Sequence, residues 1–324
     1  MSTYYTSKYS GEQIDEAVKK IMDGEMTGDY ADRQLSNLDT PQGALANLGA
    51  GVRPNLLINP FFEVNQRGQS SYGQGLTVDM WSLGTDGNGK ATVANDGIII
   101  SGNTGTYCNF EGGIEEVPPG TYTESFLVDD HTKVSQIFAN GSGQFNVTEN
   151  LISYTFEVKS ELDSVYWGIQ KLLSAGDLKI FGAKLEEGST QTLAYQDEDG
   201  AWQLLPQPES DYLTQLLKCR QYLQPVPSEL LGIVGIPSSF NLGCVMPMSI
   251  PLKSPRNASL VGIADECTLH TDAVSNCSIS TMVLNRISES SAIIIIKLSD
   301  TNGLSAGEAF YVDLSPGTFI SAEL

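Results

Sequence analysis

The chain has 324 residues, 40% of them hydrophobic, which is long enough for two ordinary domains with packed cores and excludes global disorder. Its 18 Lys plus Arg stand against 39 Asp plus Glu, a formal charge of −21. Such a surface repels phosphate backbones and anionic lipid, so neither nucleic-acid binding nor membrane insertion is expected.

The acidic excess is concentrated in residues 53–205, which carry 8 basic and 20 acidic side chains. Solubility is the plain reading of that excess, and cation binding or steering of a partner is the alternative. The opening MSTYYTSKYSGEQ is polar and does not read as a secretory signal. The longest apolar run, Ala292–Ile296, is too short to cross a bilayer. Five cysteines without CxxC spacing read as free, mostly buried thiols made in a reducing cytosol.

Ser10 and Gln13 form a capping-box pattern ahead of Ile14, Ala17, Val18, Ile21 and Met22, one apolar stripe on a helix that stops at Gly24. So short a helix is marginal alone, so the stripe must pack on the chain's own body or on a partner helix. The linker-like flanks favour the partner, and the stripe is read as an attachment or oligomerisation helix. Thr40-Pro41 starts a second short helical segment that ends at Gly49. QLSNLDTPQGALANLGAG, residues 34–51, resembles a motif of bacteriophage tail-fibre proteins. There it lies between an N-terminal attachment segment and the first globular domain.

From Asn55 the period becomes that of β-structure, and NLLINPFFE reads as an opening apolar strand. It resembles the first strand of carbohydrate-binding jelly-roll modules, and Asp79-Met80-Trp81 resembles the segment that places a core Trp in them. Gly84–Ala91 approaches GxxxxGK[ST] but has Ala91 in place of the hydroxyl, and it is followed by a strand-like Thr92–Ile100 instead of a helix. It reads as a Gly/Asn hairpin loop. Thr121–Val128, Ile152–Val158 and Val165–Ile169 alternate as half-buried strands. Phe181-Gly182-Ala183-Lys184-Leu185-Glu186-Glu187-Gly188-Ser189 resembles the closing strand of such modules in phage proteins.

Pro206-Gln207-Pro208 marks a boundary, after which Leu213, Leu216 and Leu217 take helical spacing. Leu217–Tyr222 resembles the segment opening the C-terminal domain of phage fibre proteins, with Arg220 and Gln221 in reverse order. Short β-runs follow at Leu230–Ile236, Gly243–Ile250, Ala292–Leu298, Ala309–Leu314 and Phe319–Leu324. The expected fold is mainly β: a helical attachment and linker segment (1–52), a jelly-roll β-sandwich (53–205) and a second β-sandwich (206–324) expected to be the receptor-binding head.

His131 and His270 are the two histidines, and neither has a GxSxG elbow, so triad chemistry and a His metal cluster are not expected. A carboxylate pair of the glycosidase type is left open by composition. Asp197-Glu198-Asp199-Gly200, Asp129-Asp130 and Glu63 are oxygen-rich candidates for calcium, because carbohydrate-binding jelly rolls, which the chain resembles, often hold a structural calcium. The EF-hand spacing is absent, solvated loop charge is the expectation, and no cofactor is predicted.

The resemblance implies a virion tail protein, made in the bacterial cytoplasm, that joins other tail proteins through residues 1–52. It also implies a homotrimer and non-catalytic binding of a host-surface glycan, first of all through the C-terminal region. Tyr72, Tyr107, Tyr166 and Trp202, in loops or on predicted outer faces, are the candidate sugar-stacking residues. A virion decoration or connector subunit is the first alternative, and a polysaccharide depolymerase the second.

Overall fold

The computed structural model describes residues 52–324 apart from 115–116, 140–148, 159–164, 198, 209, 228, 234–240, 249, 254–257, 262–267, 272–274, 289–290, 299–308, 315–317 and 323–324. The expected helices of the first 51 residues, with Ile14, Ala17, Val18, Ile21 and Met22, lie outside the described residues. The fold is mainly β, as the alternation predicts.

Eleven strands form two antiparallel sheets: β1 (Ser71–Tyr72), β2 (Gly75–Leu76), β3 (Trp81–Thr85), β4 (Lys90–Ala94), β5 (Gly97–Ser101), β6 (Cys108–Ile114), β7 (Gly120–Val128), β8 (Val134–Ala139), β9 (Leu151–Val158), β10 (Val165–Lys171) and β11 (Leu178–Glu187). One sheet runs β1-β4-β5-β11-β7-β9 and the other β2-β3-β6-β10-β8. Tyr122, Phe126 and Val128 of β7 and Ile152 and Val158 of β9 face Trp81, Phe110, Trp167 and Ile169 in one core. Trp81 is 1% exposed, stacks on Phe110 at 4.9 Å and meets the edge of Phe62 at 4.9 Å, which makes it a core residue.

Three readings of this region need correction. Asn55–Glu63 is not a strand: Asn59 (φ 56°) and Phe62 (φ 63°) turn the backbone around Pro60, and Met80 (φ 70°) does the same before Trp81. Thr92–Ile100 is not one strand but the β4–β5 hairpin, which turns at Asn95-Asp96-Gly97. Gly97 sits at φ +141°, where a Cβ would lie 2.2 Å from the Ile180 carbonyl oxygen. The Gly84–Ala91 loop joins β3 of one sheet to β4 of the other, so it is a crossover between sheets and not a hairpin.

A hairpin of β12 (Ala194–Gln196) and β13 (Trp202–Leu204) follows, then helix α1 (Tyr212–Cys219), capped by Asp211 Oδ1 accepting from the Thr214 N–H. Leu216, Cys219 and Tyr222 pack on the first core. The expected Leu stripe of α1 is therefore split, with Leu213 and Leu217 facing out at 63% and 47% exposure.

Beyond α1 lie β14 (Leu223–Pro225), β15 (Glu229–Ile233), β16 (Asn241–Pro247), β17 (Ser259–Val261), β18 (Thr268–Thr271), β19 (Ser275–Ile287), β20 (Ser291–Leu298), β21 (Ala309–Asp313) and β22 (Phe319–Ser321). A three-stranded sheet runs β14-β22-β17, and a six-stranded one β15-β21-β18-β19-β20-β16. The long strand β19 carries register shifts at Ile279/Thr281 and Leu284/Arg286, which let the sheet curl until its end strands β15 and β16 meet. A second core, mostly aliphatic, fills the curl.

Candidate functional site

The opening loop is held to β11 by two isolated backbone bonds, Leu56 N–H to the Leu185 carbonyl at 2.8 Å and Ala183 N–H to the Pro60 carbonyl at 2.9 Å, and by side chains that supplement them. Asn55 Nδ2 donates to the Ala183 carbonyl at 2.9 Å, while its Oδ1 accepts from Leu57 and Leu185 N–H at 3.0 and 3.2 Å. Buried Asn59 donates to the Val64 and Asp79 carbonyls and accepts from the Val64 N–H, and the Trp81 indole donates to the Asn59 carbonyl at 3.0 Å. Asp79, also buried, accepts from the Gln66 backbone and side-chain amides. The same knot grips the following segment. Gln215 Oε1 accepts from the Asn59 N–H at 2.7 Å, and Gln66 Nε2 donates to the Leu223 carbonyl at 3.1 Å.

This scaffold fixes a groove of about 590 Å³ on the outside of the six-stranded sheet. Phe61 and Glu63 come from the opening loop, Asn95 and Asp96 from the β4–β5 turn, Phe181 from β11 and Tyr212 from the first turn of α1. Phe61 lies directly over Gly182, where a Cβ would stand 2.8 Å from its ring carbons. The register shift between Ile180 and Gly182 accompanies the change of facing: Ile180 is fully buried, while Phe181 packs with Phe61, Trp202 and Leu204 in a separate apolar cluster. Tyr212 is 52% exposed, so its ring is open to a ligand.

Two carboxylates line the groove. Lys179 Nζ binds Asp96 at 2.5 Å, and the Lys179 hydrogen bond holds the Asp96 carboxyl below the usual range. The same ammonium lies 4.9 Å from the centre of the Phe181 ring. Glu63 is exposed and, among the described residues, forms no hydrogen bond or ion pair. Aromatic rings beside carboxylate and carboxamide oxygens suit a polyhydroxylated ring with an apolar face, or a cation.

Next to the groove is a buried polar network. Lys184 Nζ donates to Thr192 Oγ1 and Gln207 Oε1, both at 2.6 Å, and lies 3.5 Å from Glu186. Glu186 accepts from the Thr192 N–H and hydroxyl at 2.5 Å. Desolvation pushes the Lys184 ammonium down to about 8, with Glu186 pulling the other way. The Lys-Leu-Glu motif therefore pins residues 190–207 to the sheet, and its charged members do not face a ligand.

The four predicted stacking residues are not gathered in one site. Tyr72 is corrected to a packing residue: it is 5% exposed and its hydroxyl donates to Asn65 Oδ1, so its ring cannot stack on a sugar. Tyr107 is half-buried against Gly84 on the other sheet. Tyr166 sits in β10 opposite Gly113, in that same sheet, and its side chain is outside the described residues. Trp202, half-buried, belongs to the apolar cluster that backs the groove. Phe61, Phe181 and Tyr212 were missed.

Of the calcium candidates, Asp197, Asp129 and Asp130 are engaged elsewhere, Glu63 lines the groove and Glu198 lies outside the described residues. Asp197 caps its own turn by accepting from Asp199, Ala201 and Gln203, and Asp130 accepts from Thr132. Asp129 binds Lys133 at 2.6 Å and accepts from the Lys179 N–H. Among the described residues, no three His, Cys, Asp or Glu come together to hold a metal. His131 pairs with Asn150 through Nδ1 at 3.0 Å. Cys108, Cys219 and Cys244 are buried free thiols, and burial pushes Cys244 up to about 11.

No family model and no curated protein matches the chain. Among solved structures it is similar to an arabinose-bound α-L-arabinofuranosidase, MgGH51, at 12% identity over 53% of this chain, with a TM-score of 0.26. The match spans 30% of that enzyme. It is also similar to the N-terminal CBM22 tandem of a Paenibacillus barcinonensis protein, at 10% identity, 85% of this chain, 99% of that one and a TM-score of 0.27. A third is the tandem of CBM51 modules from a family 98 glycoside hydrolase of Streptococcus pneumoniae, at 12% identity, 86% and 90% coverage and a TM-score of 0.17.

Proposed function

We propose that this chain is a bacteriophage virion protein, a tail fibre or receptor-binding protein, that binds a host-surface glycan without catalysis. The observation that carries the glycan reading is the groove: Phe61 and the exposed Tyr212 ring beside Glu63, Asn95 and Asp96, all fixed by a rigid sandwich. The virion reading draws on the resemblance of residues 34–51, Phe181–Ser189 and Leu217–Tyr222 to phage tail-protein segments, and the glycan reading also on that of Asn55–Glu63 to carbohydrate-binding jelly-roll modules. Residues 1–52 would join other tail proteins and assemble a homotrimer, with the division into 53–205 and 206–324 as part of the same proposal.

Recognition was expected first in the C-terminal region. The groove instead favours the first sandwich, with α1 contributing Tyr212 from the segment after the boundary. A second reading, a decoration or connector subunit, draws on the outer face of β16, β20 and β19. There Val245 and Val283 are exposed beside the half-buried Ile293 and Ile295.

Adsorption of the full chain to host cells and to a glycan array tests the proposal. Tyr212→Ala should leave the circular dichroism unchanged and weaken binding about tenfold, the scale of one aromatic stacking contact. Unaltered adsorption by Tyr212→Ala and Phe61→Ala together would remove the groove from the function. Release of reducing ends from host polysaccharide would overturn the non-catalytic part.

A further inference from the structure

We infer that the groove recognises an ammonium group carried on a sugar, so that its ligand class is a glycan containing a free amino sugar. This rests on the glycan reading of the same groove and narrows it.

Three observations converge. Glu63 is an exposed carboxylate on the groove wall and is engaged by no described residue. Asp96, the other carboxylate, is neutralised by Lys179, and that lysine is tied at 2.5 Å and laid over Phe181. The groove therefore carries one uncompensated negative charge, with Phe61 and the open Tyr212 ring beside it. Aromatic faces and a carboxylate attract the same kind of group, a cation with apolar shoulders. A hexosamine has both: an ammonium for Glu63, and a pyranose face of C–H bonds for Tyr212. The surrounding segment 53–205, with 20 acidic against 8 basic side chains, adds a field of the same sign. A uronic or sialic acid would bring its own carboxylate into that field and be rejected.

The test is titration calorimetry of the full chain with four probes: a glucosamine oligomer with free amines, its fully N-acetylated form, a glucuronic-acid-containing oligomer and choline. The free-amine oligomer should bind about tenfold more tightly than the acetylated one, from an exposed ion pair and a cation–π contact together. That margin should shrink as salt rises. Glu63→Gln should abolish the margin, so that the free-amine oligomer binds no more tightly than the acetylated one.

Equal binding of the two forms, or tightest binding of the acidic oligomer, overturns the ammonium inference and leaves the glycan reading standing. Binding of choline with no saccharide bound supports the ammonium site and overturns the glycan reading. No binding of any probe overturns both.

Discussion

Asp79, Glu124, Lys171, Lys184 and Glu186 are buried in the first sandwich, whereas the second core shows no buried charged side chain among the described residues. The first core is also rich in rings, with Phe62, Trp81, Phe110 and Trp167 packed together, while the second is made of Leu, Ile, Val and Met around Phe310. Polar groups in a low-dielectric interior must each meet a particular partner, so they fix geometry closely and are costly to disturb. Aliphatic and Met cores tolerate exchange. The groove is built where the geometry is fixed: Asn55, Asn59 and the bulge at Ile180/Gly182 place Phe61 and Phe181, and Gln215 ties α1 to the same knot.

The largest expected effect is on the first core. Trp81→Ala removes a fully buried ring and the donor to the Asn59 carbonyl, for a loss of about 4 kcal/mol. The readout is convenient, because the chain's three tryptophans, Trp81, Trp167 and Trp202, all lie in the first region. Urea unfolding followed by Trp fluorescence measures it, and a loss under about 1 kcal/mol would contradict the packing described. Next comes Lys184→Met, which leaves Glu186 buried without its counter-charge and should destabilise by about 3 kcal/mol. Lys184→Met with Glu186→Leu should recover most of that. If the double variant is no better than the single one, the pair is not the source of the loss.

Glu124 sharpens the contrast through pH. Its side chain is fully buried on β7, and among the described residues neither carboxyl oxygen accepts a hydrogen bond of good geometry, the Gly168 N–H being the one donor near it. Burial drives the carboxyl well above its ordinary 4.5, with the Gly168 N–H only partly offsetting. The folded chain thus keeps a proton that the unfolded chain loses above about that value. Its contribution is fully present at lower pH, and stability falls as pH rises towards the folded value. Glu124→Gln should flatten that decline in the Trp-detected unfolding and leave stability near pH 4 unchanged. An unaltered slope would mean the carboxyl is solvated.

Much of the first sandwich was legible in the sequence because strands such as β9, where covered and open residues alternate, write a period of two. Trp81 was legible as core through the resemblance of Asp79-Met80-Trp81 to a segment that places a core Trp. The opening stretch was not, because its apolar residues look like a strand while Asn59, Phe62 and Met80 take positive φ and side-chain hydrogen bonds supplement isolated backbone ones. The strands β18 and β19 were passed over: Ser275–Ile287 is polar along half its length and bulged, so no clean alternation survives. The groove was illegible for a related reason. Phe181 leaves the core only through a bulge, Phe61 and Phe62 are neighbours on opposite sides of a turn, and Tyr212 looked like the start of a helix. Among the missed signals, Asn95-Asp96-Gly97 was readable, since Asp-Gly is a hairpin turn.

The smallest effects concern β20, whose run Ala292–Ile296 is apolar on both faces. Ala292, Ile294 and Ile296 point into the second core, and Ile293 and Ile295 point outward between Val245 and Val283. Ile294→Val should cost about 1 kcal/mol, the usual figure for one methylene in a core able to relax. Ile295→Thr should cost about 0.5 kcal/mol or less in the single chain, because that side chain is only half-buried and gives its polar group to water. Since no tryptophan reports on this region, amide hydrogen exchange along β16, β19 and β20 at low protein concentration measures both. The order of the two is the point: inner above outer follows from a tolerant core beneath a wet face. An Ile295→Thr loss equal to that of Ile294→Val would mean that the outer face is dry, and the second region would then be specified by what covers it and not by its core alone.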